Sequence, residues 1–147
     1  STFEEMGPGT KFQRVLDDTA ADESAVSRVV LCSGKVFYEL DKARQAAGAS
    51  HVALVRVEQL APFPLADVAS IITKYSPDEV VWCQEEPRNM GAWSYVAPRI
   101  EVSARMADRD GVRPRYVGRA PSASPAAGAK KLHEIEQAAL IETALEQ

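Results

Sequence analysis

Four short groups of residues in this chain have the side chains and the setting that chemistry needs. They are Ser33-Gly34-Lys35, Arg56 with Glu58-Gln59, Gln84-Glu85-Glu86, and Gly118-Arg119, and each follows directly on an apolar run. The first group sets a flexible glycine and a lysine at the start of a helical pattern, a combination that holds an anion through free backbone N–H groups and a positive charge. The same Ser and Gly also suit an ordinary strand-to-helix turn, and the spacing is not that of a Walker phosphate loop. Arg56 stands at the rim of a buried run, where a charge requires a partner. A phosphate or carboxylate ligand would serve, and so would Glu58 or Glu85. Ser33, Gly34, Lys35 and Arg56 are therefore the candidate anion or effector contacts.

Glu85 and Glu86 are an adjacent carboxylate pair at a strand end. Such a pair divides into acid and base where burial separates the two pKa values; otherwise it anchors a loop by accepting N–H bonds. The second role is carried forward, with Gln84, Glu85, Glu86, Asn89 and Trp93 assigned to the loop or to an interface. His51 and His133 are far apart and fit no metal-ligand spacing, and His133, beside Lys131, is predicted to be a solvated helix residue. No serine lies in a GxSxG nucleophile elbow. Trp82 and Trp93 read as packing or interface residues. No catalytic residue and no metal ligand is assigned.

The elements that must position these groups follow from the apolar pattern. Val29–Cys32, Val52–Val55 and Val80–Cys83 are continuous apolar runs without alternation, as expected of parallel strands buried on both faces. Between the first two, Val36, Phe37, Leu40, Ala43 and Ala47 recur at helical spacing, with Gly48 placed as a C-cap. Between the second and third, Leu65, Val68, Ala69, Ile72 and Tyr75 form another helical stripe, opened by Pro64 and closed by Ser76-Pro77. Glu85–Gly91 is a turn-rich loop. Ala92–Arg105 is predicted to be a helix that Pro98 kinks or splits, and Arg115–Gly118 a short fourth strand. A loop of small residues and prolines over 119–128 leads to a terminal helix from Ala129, with an apolar stripe of Leu132, Ile135, Ala139 and Leu145. Residues 1–27 lack periodicity and are expected to be an arm and linker lying over something else, with the domain proper at 28–147. The fold class is α/β, a three-layer sandwich on a mainly parallel sheet.

Composition sets the outer limits. A chain of 147 residues, 46% hydrophobic and 26% charged, has the balance of one ordinary globular domain. No apolar run reaches the roughly 18 residues of a membrane span. A net charge of −4 gives no broad attraction for nucleic acid. Cys32 and Cys83 read as reduced core residues, a disulfide being conceivable if their strands are neighbours. Neither a signal peptide nor an intact transit peptide is visible before Met6-Gly7-Pro8-Gly9-Thr10.

Longer strings carry more specific information. Leu31–Leu40 (LCSGKVFYEL), Val55–Pro64 (VRVEQLAPFP), Val81–Trp93 (VWCQEEPRNMGAW), Arg115–Arg119 (RYVGR), Pro121–Pro125 (PSASP), then Lys131-Leu132-His133 and Glu136-Gln137, occur in this order. Together they resemble the C-terminal end of the 2-oxoglutarate dehydrogenase E1 family, from about Phe12 to about Leu145. The arm, Phe3-Glu4-Glu5-Met6 through Gly9–Val15, resembles the eukaryotic form. The resemblance implies a transketolase C-terminal-like domain within an enzyme of the tricarboxylic acid cycle. That enzyme decarboxylates 2-oxoglutarate with thiamine diphosphate and Mg²⁺ and passes the succinyl group to the lipoyl arm of E2. It implies that the cofactor is gripped by preceding domains, since this segment has no GDG-type motif and Arg109-Asp110-Gly111 is a superficial echo. The implied partners are the remaining E1 domains, a second E1 subunit in a homodimer, E2 and E3 in the complex, and a nucleotide or acetyl-CoA effector. The implied address is the mitochondrial matrix, with the bacterial cytoplasm as the alternative. A second expectation stands beside these: a stand-alone structural subunit of E1 ancestry reused in another assembly.

Overall fold

The three longest apolar runs lie side by side. In the computed structural model, which describes residues 7–124 and 128–146, they become β2 (Arg28–Cys32), β3 (Val52–Val57) and β4 (Glu79–Pro87). Phe3–Met6 of the arm motif and Pro125 of the loop motif lie outside the described residues. β5 (Arg115–Arg119) and a two-residue strand β1 (Val15–Leu16) complete a five-stranded sheet in the order β1-β3-β2-β4-β5. β3, β2, β4 and β5 are mutually parallel and β1 is antiparallel to β3. The helices are α1 (Val36–Ala47), α2 (Leu65–Tyr75), α3 (Trp93–Met106) and α4 (Lys130–Leu145).

Successive strand side chains point to opposite faces, and this divides the interior in two. Val29, Leu31, Val55 and Trp82 pack with Val68 and Ile72 of α2 and Val96 and Ile100 of α3. Val30, Cys32, Val81 and Cys83 pack with Val36 and Leu40 of α1 and Leu140 and Ala144 of α4. The result is the expected three-layer sandwich, α2 and α3 on one face and α1 and α4 on the other. Cys32 and Cys83 are register partners on neighbouring strands, buried and free. Burial pushes the Cys83 thiol up to about 12 and raises that of Cys32 as well, so neither is a nucleophile at neutral pH.

Four details depart from the sequence reading. First, β4 continues through Gln84, Glu85 and Glu86 to Pro87, reaching Arg119 across a register irregularity, so the turn is confined to residues 88–92. Second, α3 runs unbroken through Pro98. Pro98 and Ser94 are on its exposed side, where water can take the carbonyl that the missing N–H leaves. Third, α4 buries Gln137, Leu140, Ala144 and Leu145, while Leu132 and Ile135 are 49% and 58% exposed. Its true inward stripe contains a glutamine, which apolar counting passes over. Fourth, the arm from residue 14 onward packs on this same sheet. Glu58 and Gln59 donate their backbone N–H groups to the Arg14 carbonyl. The buried Asp18 carboxylate accepts from the Leu54 backbone N–H at 2.8 Å and from Arg44 of α1. A two-residue strand is too short to leave a periodic signal.

At the opposite end of the strands, Glu79 lies between Arg28 and Arg115 and bonds to both. Arg28 also donates to the Ala144 and Glu146 carbonyls, tying the end of α4 to the start of β2. Burial opposes the Glu79 charge. The Arg115 hydrogen bond and the two guanidinium charges outweigh it and hold the carboxyl below its ordinary 4.5. A carboxyl depressed in the folded state stabilises above its unfolded pKa, and that stabilisation is lost as pH falls through the folded value. We expect the urea midpoint to decline between about pH 6 and about pH 3, with Glu79→Gln flattening part of that decline. An equally steep decline in the variant would show that Glu79 does not contribute.

Candidate functional site at the strand tips

The sheet order creates a break in the chain's path. From β2 the chain crosses by α1 on one face to β3; from β4 it enters α3 on the other face. The loops leaving β2 and β4 therefore diverge, and in open α/β sheets a crevice opens where that happens, beyond the carboxyl ends of the strands. Here it is a cleft of about 530 Å³, lined by Ser33, Gly34 and Lys35 on one side and Gln84, Glu85 and Glu86 on the other. Leu60, Trp82, Ala92 and Tyr95 supply apolar wall.

Gln84 organises this region. It is 4% exposed. Its Oε1 accepts from the Trp82 indole N–H at 2.9 Å and from the Trp93 backbone N–H at 3.0 Å, fixing the first turn of α3. Its Nε2 donates to the Met90 carbonyl at 2.8 Å and to those of Glu86 and Pro87 at 3.2 Å. Gly91, at φ +64°, follows in the one conformation that lets the loop turn so close. A Cβ there would lie 2.8 Å from Gln84 Nε2. Gly118 is required for a similar reason, since its Cβ would meet the Tyr116 hydroxyl and lie 2.7 Å from the Gln84 carbonyl. The Tyr116 hydroxyl donates to the Glu86 or Arg119 carbonyl, at 2.9 and 2.8 Å, and its ring packs against Trp93. Asn89 and Ser122 exchange hydrogen bonds, Nδ2 to the Ser122 carbonyl at 2.9 Å and the Ser122 N–H to Oδ1 at 3.0 Å.

The candidates named from sequence separate into two places. Ser33, Gly34 and Lys35 line the cleft with Glu85 and Glu86, whereas Arg56 does not. The Arg56 guanidinium lies 4.6 Å from the Phe37 ring centroid and 3.9 Å from Glu58, the acidic partner anticipated nearby. Lys35 Nζ bonds Glu85 Oε1 at 2.7 Å, with Glu39 at 3.9 Å. The Glu85 bond holds the Lys35 ammonium above its ordinary pKa. Of the loop set, Gln84 faces inward, Trp93 is half-buried, and Asn89 and Glu86 are exposed. Among the described residues no group of three or more His, Cys, Asp or Glu side chains could hold a metal ion.

Sequence reasoning missed Gln137, and it marked Arg119 as a strand-tip residue without identifying its partners. Gln137 of α4 donates from Nε2 to Glu39 at 3.1 Å and Glu85 at 3.2 Å, joining α4 to the cleft wall. Only the NH₂ end of an amide can face two carboxylates, so its orientation follows from its neighbours. Arg119 Nε lies 3.3 Å from Glu136 but out of hydrogen-bond line, while Nη2 meets His133 Nδ1. His133 is thus half-buried and bonded rather than solvated, and since a guanidinium only donates, its Nδ1 is the acceptor. Glu136 and Gln137 stand in one quoted motif, which was the available signal. Arg109 donates to the Ser76 and Pro77 carbonyls, and Asp110 accepts its neighbour's N–H. The Arg-Asp-Gly string is therefore a turn and clamp, and these residues do not fit a metal–diphosphate site.

Gly91→Ala should cost about 1–3 kcal/mol, because it adds backbone strain and a clash at the most crowded point of the loop. Chemical denaturation measures this directly. A cost within about 0.5 kcal/mol would mean that Gln84 can move aside freely.

The chain matches the family model described as 2-oxoglutarate dehydrogenase C-terminal over residues 1–145. It is 41% identical over 155 aligned residues to the 2-oxoglutarate dehydrogenase E1 component of Brucella anthropi, covering 99% of this chain and 16% of that protein. The E1 components of Brucella ovis and Brucella suis are also 41% identical, with 99% of this chain and 15% of each relative covered. The chain thus spans about one sixth of the length of these curated relatives. A matched family model over nearly its whole length, on a sheet and cleft of this form, makes the chain a member of the 2-oxoglutarate dehydrogenase C-terminal family.

Proposed function

We propose that this chain serves as the C-terminal, non-catalytic part of a 2-oxoglutarate dehydrogenase E1 enzyme, helping to build the dimer and holding a small anionic effector at its strand tips. The single observation that carries the effector role is the cleft at the divergence of β2 and β4, with the Lys35 ammonium at its edge. Small-ligand sites in such folds occur at this position. The dimer-building role rests on the family and is consistent with Leu132 and Ile135 standing exposed on α4.

In the complete enzyme, thiamine diphosphate with Mg²⁺ would supply the decarboxylation chemistry. Among the described residues no group of three or more His, Cys, Asp or Glu side chains could hold the metal, and no step of that chemistry is assigned to them. The reading places E2 and E3 as partners of the whole enzyme. A matrix address rests on the resemblance of the arm to the eukaryotic form, whereas the relatives named above are bacterial. No helix among the described residues is long and apolar enough to cross a membrane.

Two outcomes are expected. The 147-residue chain mixed with 2-oxoglutarate, thiamine diphosphate and Mg²⁺ releases no CO₂ above a protein-free blank. Release at a turnover rate would overturn the division of labour. In calorimetry on the full-length protein at low salt, inorganic phosphate binds, and Lys35→Met weakens it about tenfold or more, the effect of removing one charge-assisted contact. An unchanged affinity in that variant would remove the cleft from the proposal. An alternative role as an independent scaffold subunit predicts a native chain of 16.0 kDa on intact-mass measurement instead of one several times larger.

A further inference from the structure

The cation at the cleft's edge already has an anion on it. Lys35 Nζ is bonded to Glu85 Oε1 at 2.7 Å, and Lys35 is 69% exposed by side chain against 22% for Glu85. The lysine is the mobile, solvated partner and the glutamate the fixed one. Glu85 is fixed because the same oxygen also accepts from Gln137 Nε2 at 3.2 Å, and Gln137 is 7% exposed, wedged between Glu85 and Glu39. Its own Oε1 is buried without a donor. With Glu86 on the same wall, the described cleft lining carries one positive and two negative side chains. An anion entering there meets net repulsion for as long as Glu85 stays on the wall.

From this geometry we infer that Glu85 is a built-in competitor for the cleft's anion position, and that its displacement loosens α4 through Gln137. The inference rests on the cleft reading above and adds its regulation. The balance is simple: a ligand oxyanion draws the mobile Lys35 ammonium off the Glu85 carboxylate, repulsion from the bound anion then pushes that carboxylate off Gln137 toward water, and no covalent bond changes. Gln137 then keeps Glu39 and loses Glu85, so one tie between α4 and β4 is gone. A carboxylate, a phosphate or a sulfate would compete alike, because the contest is for a point charge rather than for a planar fork.

The test uses the full-length protein with inorganic phosphate as the probe. Glu85→Gln should tighten phosphate binding at least about fivefold, the factor one unit charge a few Å away produces even at the dielectric of water. Glu86→Gln removes the same charge from the same wall without touching Lys35, and should give a clearly smaller gain. Hydrogen exchange along residues 130–145 should speed up when phosphate binds the wild-type protein. In Glu85→Gln it should not change on binding. If Glu85→Gln binds no tighter than Glu86→Gln while Lys35→Met abolishes binding, the competitor idea is overturned and the cleft reading stands. If Lys35→Met binds as wild type, or if no variant binds phosphate, the cleft reading fails and the competitor falls with it.

Discussion

The amide of Gln84 joins structures that would otherwise be independent. Five hydrogen bonds meet on it, from an indole, from the first N–H of α3, to the Glu86 and Pro87 carbonyls at the end of β4 and to the Met90 carbonyl in the turn after it. A primary amide has two hydrogens, so the three carbonyls share them in a bifurcated arrangement around a buried side chain. Once the amide is in place, Gly91 becomes obligatory, because its missing side chain is the space in which the turn approaches it, and Gly118 is obligatory where β5 passes the Gln84 backbone carbonyl under the Tyr116 ring. The cleft inherits its shape from this point. Glu85 and Glu86 follow Gln84 in sequence and face Ser33, Gly34 and Lys35 across the gap that the topology opens.

Stability and site are separated along the strands. At their beginnings, Glu79 neutralises Arg28 and Arg115, and Arg28 also closes the last turn of α4. At their ends, charges are less evenly matched, and Lys35 is more exposed than any partner it has. A carboxylate bonded to two guanidiniums, one of them tied on to backbone carbonyls, fixes a structure, whereas a pair whose lysine stands in water is worth little and is readily exchanged. The fold thus concentrates permanent electrostatics at one end of the sheet and negotiable electrostatics at the other.

Much of this was legible in the sequence, and the unread parts have physical reasons. The three apolar runs became the three central strands because a strand buried on both faces needs no alternation. Ser33–Lys35 and Gln84–Glu86 were marked because position after an apolar run is a local property, although the second group proves to be the last part of β4 rather than the loop after it. That they face one another is a property of strand order, which no local pattern carries. Arg56 shows the same limit in reverse: it also follows a strand tip, yet β3 lies on the far side of β2 from β4, and the guanidinium turned to Phe37 and Glu58 instead. Gln137 escaped notice because a polar residue on the inward face of a helix looks like a surface residue until its partners are known. His133 was misjudged for the same reason, its partner Arg119 being on a different element.

The antiparallel strand β1 has a consequence for how the molecule behaves in a crowd. Five of the six residues of β3 are buried, and its outer backbone would be the open margin of an apolar sheet if the arm were peeled away. Such margins recruit strands from neighbouring molecules. The arm occupies that margin with a mere two paired residues, held by Arg14 ahead of them and by the Asp18 carboxylate behind. It covers that margin, and its grip comes from Asp18 on Arg44 and the Leu54 N–H, Asp17 on Lys74 and Tyr75, and Arg14 on Asp67 rather than from the length of the strand.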